Sequence, residues 1–466
     1  RCGFHLLSIV YLYWKNRNNK PQPKARFHEL PVVTVQLPMF NEKFVVDRLL
    51  ESVAALDYPQ DKLEIQILDD STDDTTEQCY RKVEELKSRG FDAVCIHRTD
   101  RTGFKAGALE AATKVAKGEF LLILDADFVP EPDLLQKTIH FFTDENVGLV
   151  QTRWGHINRE YNLLTRIQGM YLDGHFAMEQ TARNRSGRFF TFNGTAGIWR
   201  KCVIGDAGGW SHDTLTEDMD LSYRVQLKGW RFIYLNDVVT PAELPVDMDG
   251  FKSQQHRWTK GSIQVCQKIL LDIWRSNAPL KAKVEATTHL TCNYSYLLLA
   301  LLCFLVYPIC TQRIPEHDTV FMWFVNVALF FMTSMAVCIF YMSAQIVVRP
   351  KSWWKELPYL PLLLTLSVGM AVNNAKAVLE AIFGHQSAFV RTPKYGVDRK
   401  EDRRHVSQLK RNGYRAIKSV VIPVLEIACG TFFLNLIIIM IRQGHYLSPI
   451  LMIPFLGFYY TGFCSL

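Results

Sequence analysis

The chain has 466 residues, 48% of them hydrophobic, and a formal net charge of +7. It is too long for one ordinary domain, and its apolar residues are spread so unevenly that two physically different regions follow. The basic excess forms no aromatic-laced stripe in the first half, which excludes nucleic-acid binding. It collects instead beside apolar segments, as the positive-inside tendency places cytosolic loops. Eleven cysteines show no CxxC pair and no regular spacing, so neither a zinc site nor a disulfide framework is indicated and reduced thiols are expected.

Residues 1–27 begin with CGFHLLSIVYLYW and continue through Lys15, Arg17, Lys20, Lys24 and Arg26. We read them as the tail of a membrane helix followed by a basic cytosolic linker. Residues 28–285 contain no apolar run of the roughly 20 residues that a bilayer crossing needs, and strand-length runs alternate there with helical periods. VVTVQLPMFNE, Val32 to Glu42, predicts a buried strand leaving into a Pro-Asn loop. Lys43 to Leu56 has helical period, and LEIQILDDSTDD, Leu63 to Asp74, is a second strand ending in acids.

In RTGFKAGAL, Arg101 to Leu109, Lys105 sits among small residues at a helix start, where backbone N–H groups and an ammonium could meet phosphate. The third strand, FLLILDADFVP, carries Asp125 and Asp127 just past its apolar run. The alternation predicts an α/β domain with a parallel sheet and a ligand at the carboxyl ends of the strands. Alternate side chains of an extended segment point the same way, so Asp125 and Asp127 can share one divalent cation. Asp73 and Asp74 read instead as turn or N-cap residues.

FNGTAGIW, Phe192 to Trp199, is glycine-rich and would let a substrate approach the backbone closely. EDMDLSYRVQLKGW predicts an amphipathic helix with Thr216 as N-cap and Gly229 as stop. Glu217 and Asp218 occupy its first turn. The helix dipole should lower a carboxylate pKa there, leaving a weak base that could still take a proton from a hydroxyl that acidifies as it attacks. Next comes QQHRW, Gln254 to Trp258; read alone, it is also an interfacial aromatic anchor with a snorkelling arginine.

From Ala286 onward, spans are predicted at Thr288 to Cys310, Val320 to Ile346, Val420 to Ile441 and Leu447 to Leu466. Leu357 to Phe383 is apolar but contains Asn373, Asn374, Lys376 and Glu380. A crossing there would place the strongly basic stretch Arg391 to Lys418 outside, so residues 357–383 are expected to lie along the interface or re-enter, their polar groups facing headgroups or protein.

In order, DD, KAG, DAD, FNGTAG, TED and QQHRW resemble the processive inverting family 2 glycosyltransferases, the cellulose synthase and cellulose-synthase-like superfamily. VQTRW (Val150 to Trp154), LLTRIQGMYLDGHFAMEQ (Leu163 to Gln180) and TEDMDLSYRVQLKGW bring the likeness nearest to the plant mannan and xyloglucan-backbone synthases. The resemblance implies a GT-A-like, Rossmann-like cytosolic domain joined to an α-helical transmembrane domain. It implies that Asp69, Asp70, Lys105, Asp125, Gln254 and Arg257 bind the nucleotide sugar, that Asp125 and Asp127 hold Mg2+ or Mn2+, and that Asp218 is the general base with Glu217 beside it. Trp258, Asn193 and Gly194 would bind the acceptor. FVRTPK, with Phe389, Thr392 and Lys394, resembles a gating loop usually written FxVTxK; Arg391 replaces its valine, and a plain basic juxtamembrane loop remains the other reading of residues 386–418.

The implied function is polymerisation of a sugar from UDP-glucose or GDP-mannose into a β-linked glucan or mannan, with 1,4-linkage expected, and export through the chain's own channel. The alternative is a membrane glycosyltransferase that adds one sugar to a lipid. The implied partners are the donor, the growing polysaccharide and the bilayer of a bacterial inner membrane or the Golgi, with homo-oligomerisation left open.

Overall fold

The computed structural model describes residues 2–311, 319–385, 390–398, 400–411, 413–414, 419–442 and 449–466, with side chains of 2, 309–311, 319–333, 400 and 449–450 left out. Phe389 of the gating-loop motif lies outside the described residues, as does the start of the span expected at Leu447.

Seven strands form one sheet: β1 Val33–Met39, β2 Leu63–Asp69, β3 Asp92–His97, β4 Phe120–Ile123, β5 Val147–His156, β6 Gly197–Arg200 and β7 Arg231–Ala242. Their order is β3-β2-β1-β4-β6-β5-β7. Both faces of β1 and β2 are buried: Val35, Leu37, Ile65 and Ile67 pack on one, and on the other Thr34 Oγ1 donates to Glu64 Oε2 at 2.6 Å and Gln36 Nε2 to Gln66 Oε1 at 3.1 Å. The expected parallel arrangement holds for β3-β2-β1-β4, and β5 pairs with β7 in parallel, but β6 runs antiparallel to β4 and β5. The sequence before β6 explains the reversal. Gly194 at φ +79° and Ala196 at φ +55° turn the chain back. Ala196 N then donates to Ile123 O at 2.8 Å, and Asp125 N donates to Thr195 Oγ1 at 2.8 Å. The glycine-rich loop is thereby laid directly beside the end of β4.

Register aligns the other strand ends. Met39 of β1 stands opposite Asp69 of β2, and Asp70 N donates to Met39 O at 3.0 Å. The Pro-Asn loop, Asp70 and Asp125 consequently emerge along one edge of the sheet, as the carboxyl-end rule requires.

Among the described residues two helices are long and apolar enough to cross a membrane, Trp353–Ile382 and Val421–Arg442, and a third unit is the pair Leu280–Thr291 and Tyr294–Pro308, bent by 51°. The span expected from Thr288 therefore starts inside a broken helix. Residues 357–383, expected at the interface, belong to a 30-residue segment that meets the length and composition of a span. Most of its polar residues face protein, with Lys376 left exposed: Asn373 Nδ2 donates to Lys252 O at 3.1 Å, and Glu380 pairs with His256 and Lys260 at 3.1 Å each.

Candidate active site

One cavity at the carboxyl edge of the sheet is lined by residues from every motif singled out above. Asp70, Lys105, Asp125, Asp127, Asn193, Gly194, Glu217, Asp218, Gln254, Arg257, Trp258, Thr392 and Lys394 all border it. Asp69 does not. It is fully buried, accepting from Ser71 N at 3.1 Å and Thr76 Oγ1 at 2.7 Å and meeting His97 Nδ1 at 2.7 Å, so its carboxylate holds the β2 turn together and is spent before any ligand arrives. The expectation that it binds nucleotide is corrected accordingly. Asp70 alone of the pair reaches the cavity, clamped by the Arg98 guanidinium through Nε at 2.8 Å and Nη2 at 2.6 Å.

Lys105 lies in the first turn of the helix Phe104–Val115, which follows Gly103 at φ +75°. Its Nζ reaches Asp125 Oδ1 at 2.5 Å and Gly194 O at 2.9 Å, tying three motifs together. Burial works to raise the pKa of Asp125, but Lys105, Lys394 and Arg257 outweigh it and hold the carboxyl below its ordinary value. Asp127 is paired with Lys394 at 2.7 Å. Two ionisable carboxylates on one turn form an all-oxygen donor set suited to a hard divalent cation, provided a diphosphate completes the shell. The described residues contain no group of three or more His, Cys, Asp or Glu side chains able to cage such an ion without that help.

The helix Glu217–Leu227 aims its first turn at the same place, and a Cβ on Gly194 would lie 3.1 Å from Asp218 Oδ2. Two expectations change here. Thr216 precedes the helix, yet its side chain makes no cap hydrogen bond. Asp218 is not lowered by the dipole; burial first and Glu217 second push its pKa up to about 7. A desolvated carboxylate beside a second acid loses more than a helix end returns. Asp218 Oδ1 accepts from Met219 N at 2.8 Å, leaving Oδ2 toward Gly194.

QQHRW divides by helical position within the helix Met248–Arg275. Gln254, Arg257 and Trp258, at i, i+3 and i+4, border the cavity, whereas His256 turns to Glu380. Arg257 shares the cavity lining with Glu217, Asp125, Asp218 and Asp127, and all four acids act on its guanidinium. Trp258 packs with Trp154 at 6.5 Å between ring centroids, and Trp154 with Phe176 at 4.6 Å, forming an aromatic wall.

Asn193 is held from both ends of its amide. Gln180 Nε2 donates to its Oδ1 at 2.9 Å, and its Nδ2 donates to His175 Nε2 at 3.2 Å, with Glu179 meeting His175 Nδ1 at 3.0 Å. His175, Glu179 and Gln180 belong to a π-helical turn, Gly174–Gln180, within the stretch LLTRIQGMYLDGHFAMEQ.

Reading the sequence missed Glu42, Trp154 and His156, all of which border the cavity. Glu42 carried the same signal as the others, an acid just past a strand. Burial pushes its pKa up to about 7 despite Lys394 and Arg391 nearby. Nothing local distinguishes Trp154 and His156 on β5 from ordinary strand residues.

A family profile described as "Glycosyltransferase like family 2" matches residues 31–261. The chain is 42% identical over 287 residues to glucomannan 4-beta-mannosyltransferase 2 of Arabidopsis thaliana, covering 58% of this chain and 53% of that protein. It is 41% identical over 277 residues to glucomannan 4-beta-mannosyltransferase 1 of Oryza sativa subsp. japonica, again covering 58% and 53%. It thus spans about half the length of the curated relatives it matches. Among solved structures it is similar to the mannosyltransferase PcManGT from Pyrobaculum calidifontis in complex with GDP-Man and Mn2+, with a TM-score of 0.57 and 21% identity over 83% of this chain and 97% of that one. That likeness shows a shared GT-A-like α/β fold. The cavity therefore lies in a recognised domain: over residues 31–261 the chain carries a glycosyltransferase family 2 domain.

Proposed function

We propose that the chain is a membrane-embedded, processive, inverting β-glycosyltransferase that extends a β-1,4-linked mannan, glucomannan or glucan from a nucleotide sugar. One observation carries the reading: acids, cations and an indole wall from separated motifs border a single cavity. The names of the two plant relatives favour a mannosyl donor such as GDP-mannose over UDP-glucose.

In this reading Asp125 and Asp127 would hold Mg2+ or Mn2+, which when bound would supply positive charge to offset that of the donor diphosphate. Lys105 and Arg257 supply further positive charge where the leaving group departs. The acceptor ring lies on Trp258, an apolar platform that leaves its edge hydroxyls free to hydrogen-bond. The acceptor oxygen attacks the anomeric carbon, the carbon–oxygen bond to the diphosphate breaks with its electron pair, and the hydroxyl proton passes to Asp218. A single displacement converts an α-linked donor into a β-glycoside. The segment bearing Thr392 and Lys394 covers the donor. The membrane helices offer the product a route of export, with the catalytic domain on the cytosolic side.

Purified full-length chain should be incubated with a panel of labelled nucleotide sugars, the product sized, and then digested with linkage-specific hydrolases. Long chains cut by a β-1,4-mannanase or glucanase are expected. A product that stops at one sugar on a lipid would overturn processivity.

A further inference from the structure

The helix Cys2–Asn16 lies against the helix Thr319–Val348, and contacts near both ends fix their relative direction. Near one end a Cβ on Gly3 would stand 3.4 Å from that of Ala336. Near the other, Tyr13 and Trp14 share a cavity wall with Ile346 and Val347. The helices are therefore parallel and stop at the same level. Basic residues gather where each stops, Lys15, Arg17 and Lys20 at one and Arg349 and Lys351 at the other. Tyr13 and Trp14 take the position that amphipathic rings occupy at headgroup depth.

At that level lies a second cavity, of about 440 Å³, separate from the catalytic one. Arg17, Lys20, Arg153 and Arg185 line it, against a single acid, Asp237, which pairs with Lys20 at 2.7 Å. Arg153 Nε donates to Asn236 O at 2.9 Å, and Arg185 Nη1 donates to Arg17 O at 2.5 Å. Backbone carbonyls thus orient both guanidinium groups without neutralising them. Among the described residues, neither Arg153 nor Arg185 has a carboxylate within ion-pair distance, and Arg185 Nε is buried with no hydrogen-bond partner. Partly buried guanidinium groups in this state are stabilised by an anion with several acceptor oxygens. Ile346 and Val347 give the same cavity an apolar part of its lining.

We propose that this cavity binds the headgroup of an anionic phospholipid from the leaflet on the catalytic-domain side. Arg153 and Arg185 take the phosphate, Arg17 and Lys20 close over it, and the acyl chains run along Ile346, Val347 and the helix pair. A free phosphate shares the charge but has nothing to place on the apolar wall. The proposal rests on the helix pair being membrane-embedded and is independent of the catalytic reading. Arg153 directly precedes Trp154, so the lipid would touch the strand that carries the aromatic wall of the active site.

The full chain should be reconstituted in nanodiscs of phosphatidylcholine with or without phosphatidylglycerol, and co-purifying lipid counted by native mass spectrometry after mild delipidation. Phosphatidylglycerol is expected to be retained at least tenfold over phosphatidylcholine, and Arg153→Gln/Arg185→Gln to lose that preference. Arg17→Gln/Lys20→Gln alters exposed side chains at little risk to folding and should weaken the preference severalfold. Equal retention of the two lipids, or undiminished preference in both double variants, would overturn the proposal. So would displacement by millimolar inorganic phosphate as effective as by short-chain phosphatidylglycerol, which would mark a plain anion site. Failure of the chain to enter neutral nanodiscs would instead overturn the membrane reading, and the proposal with it.

Discussion

Lys394 and Asp127 form an ion pair, Nζ to Oδ1 at 2.7 Å, and Lys105 holds Asp125 in the same way at 2.5 Å. Lysines thus neutralise both carboxylates of the Asp125–Asp127 turn. The segment bearing Lys394 is tethered just beyond it, where Glu243 accepts from the backbone N–H groups of Tyr395, Gly396 and Val397 at 2.9, 3.0 and 3.1 Å. If Asp127 helps to hold a cation as proposed, Lys394 would have to release Asp127 while its anchor stays in place. Lys394→Met should bind Mn2+ alone about tenfold more tightly, a change of about 1.4 kcal/mol, close to the lower end for a hydrogen bond to a charged group. It should also lose at least tenfold in kcat/KM for the donor. Titration of free Mn2+ by electron paramagnetic resonance checks the first effect, and unchanged metal affinity would show that the ion pair does not compete.

As the proposed base, Asp218 should set the pH dependence of transfer. Its carboxyl must be ionised to accept a proton, and burial together with Glu217 pushes its pKa up to about 7, so kcat/KM should rise with pH and level off above about 7. Glu217→Gln removes one of the two causes and should move the rising limb to lower pH. Asp218→Asn should lower kcat by roughly 10²–10⁴-fold with donor affinity kept. Stability runs in the opposite direction from activity. The folded carboxyl keeps a proton that the unfolded chain has released above its ordinary pKa of 3.8, so its contribution falls as pH rises from about 4 through about 7. Asp218→Asn should consequently melt higher than the parent at pH 8. A lower melting temperature there would count against the buried, raised carboxyl.

How much of this could be read from the chain depends on whether a signal is local. Strands ending in acids, a lysine at a helix start and a glycine-rich turn are local, and they located Asp70, Lys105, Asp125, Asp127 and Gly194. Asp69 and Asp70 are adjacent with identical chemistry; only the register of β2 sends one inward to Thr76 and His97 and the other to the cavity. The raised pKa of Asp218 was illegible because desolvation depends on what the fold packs around the helix end. The antiparallel β6 was hidden as well, since nothing in GIWR reveals its direction; Ala196 at φ +55°, a conformation rare for a non-glycine residue, makes the turn. Trp154 acquires its role only by facing Trp258, about a hundred residues away in sequence.

That aromatic wall gives a third prediction. Trp258 borders the cavity with its ring 6.5 Å from that of Trp154, and Leu172, Phe176 and Leu244 pack behind it. If the indole holds the acceptor, Trp258→Ala should shorten the product and raise the acceptor KM, while donor hydrolysis to water persists. Trp258→Phe should restore part of the length, because an aromatic face is retained. Product sizing on a denaturing gel distinguishes the variants, and full-length polymer from Trp258→Ala would remove the indole from the acceptor site.

The junction of the two halves gives the last. Lys252, on the helix Met248–Arg275 that carries Trp258, is buried against the apolar helix Val421–Arg442, its Nζ reaching Glu426 Oε2 at 2.5 Å, Thr461 O at 2.9 Å and Ser465 Oγ at 2.8 Å. Glu426 is fully buried. Removing one partner of such a pair strands the other charge in a low dielectric, a loss of about 3–5 kcal/mol, whereas replacing both by apolar side chains of similar volume is often near neutral. Lys252→Met should therefore lower the apparent melting temperature in detergent markedly, and Lys252→Met/Glu426→Leu should recover most of it. The same order should appear in polymer yield, because this helix positions Gln254, Arg257 and Trp258 relative to the membrane half. A double variant no more stable than Lys252→Met would show that the cost lies in lost packing around the lysine stem, not in the unpaired carboxylate.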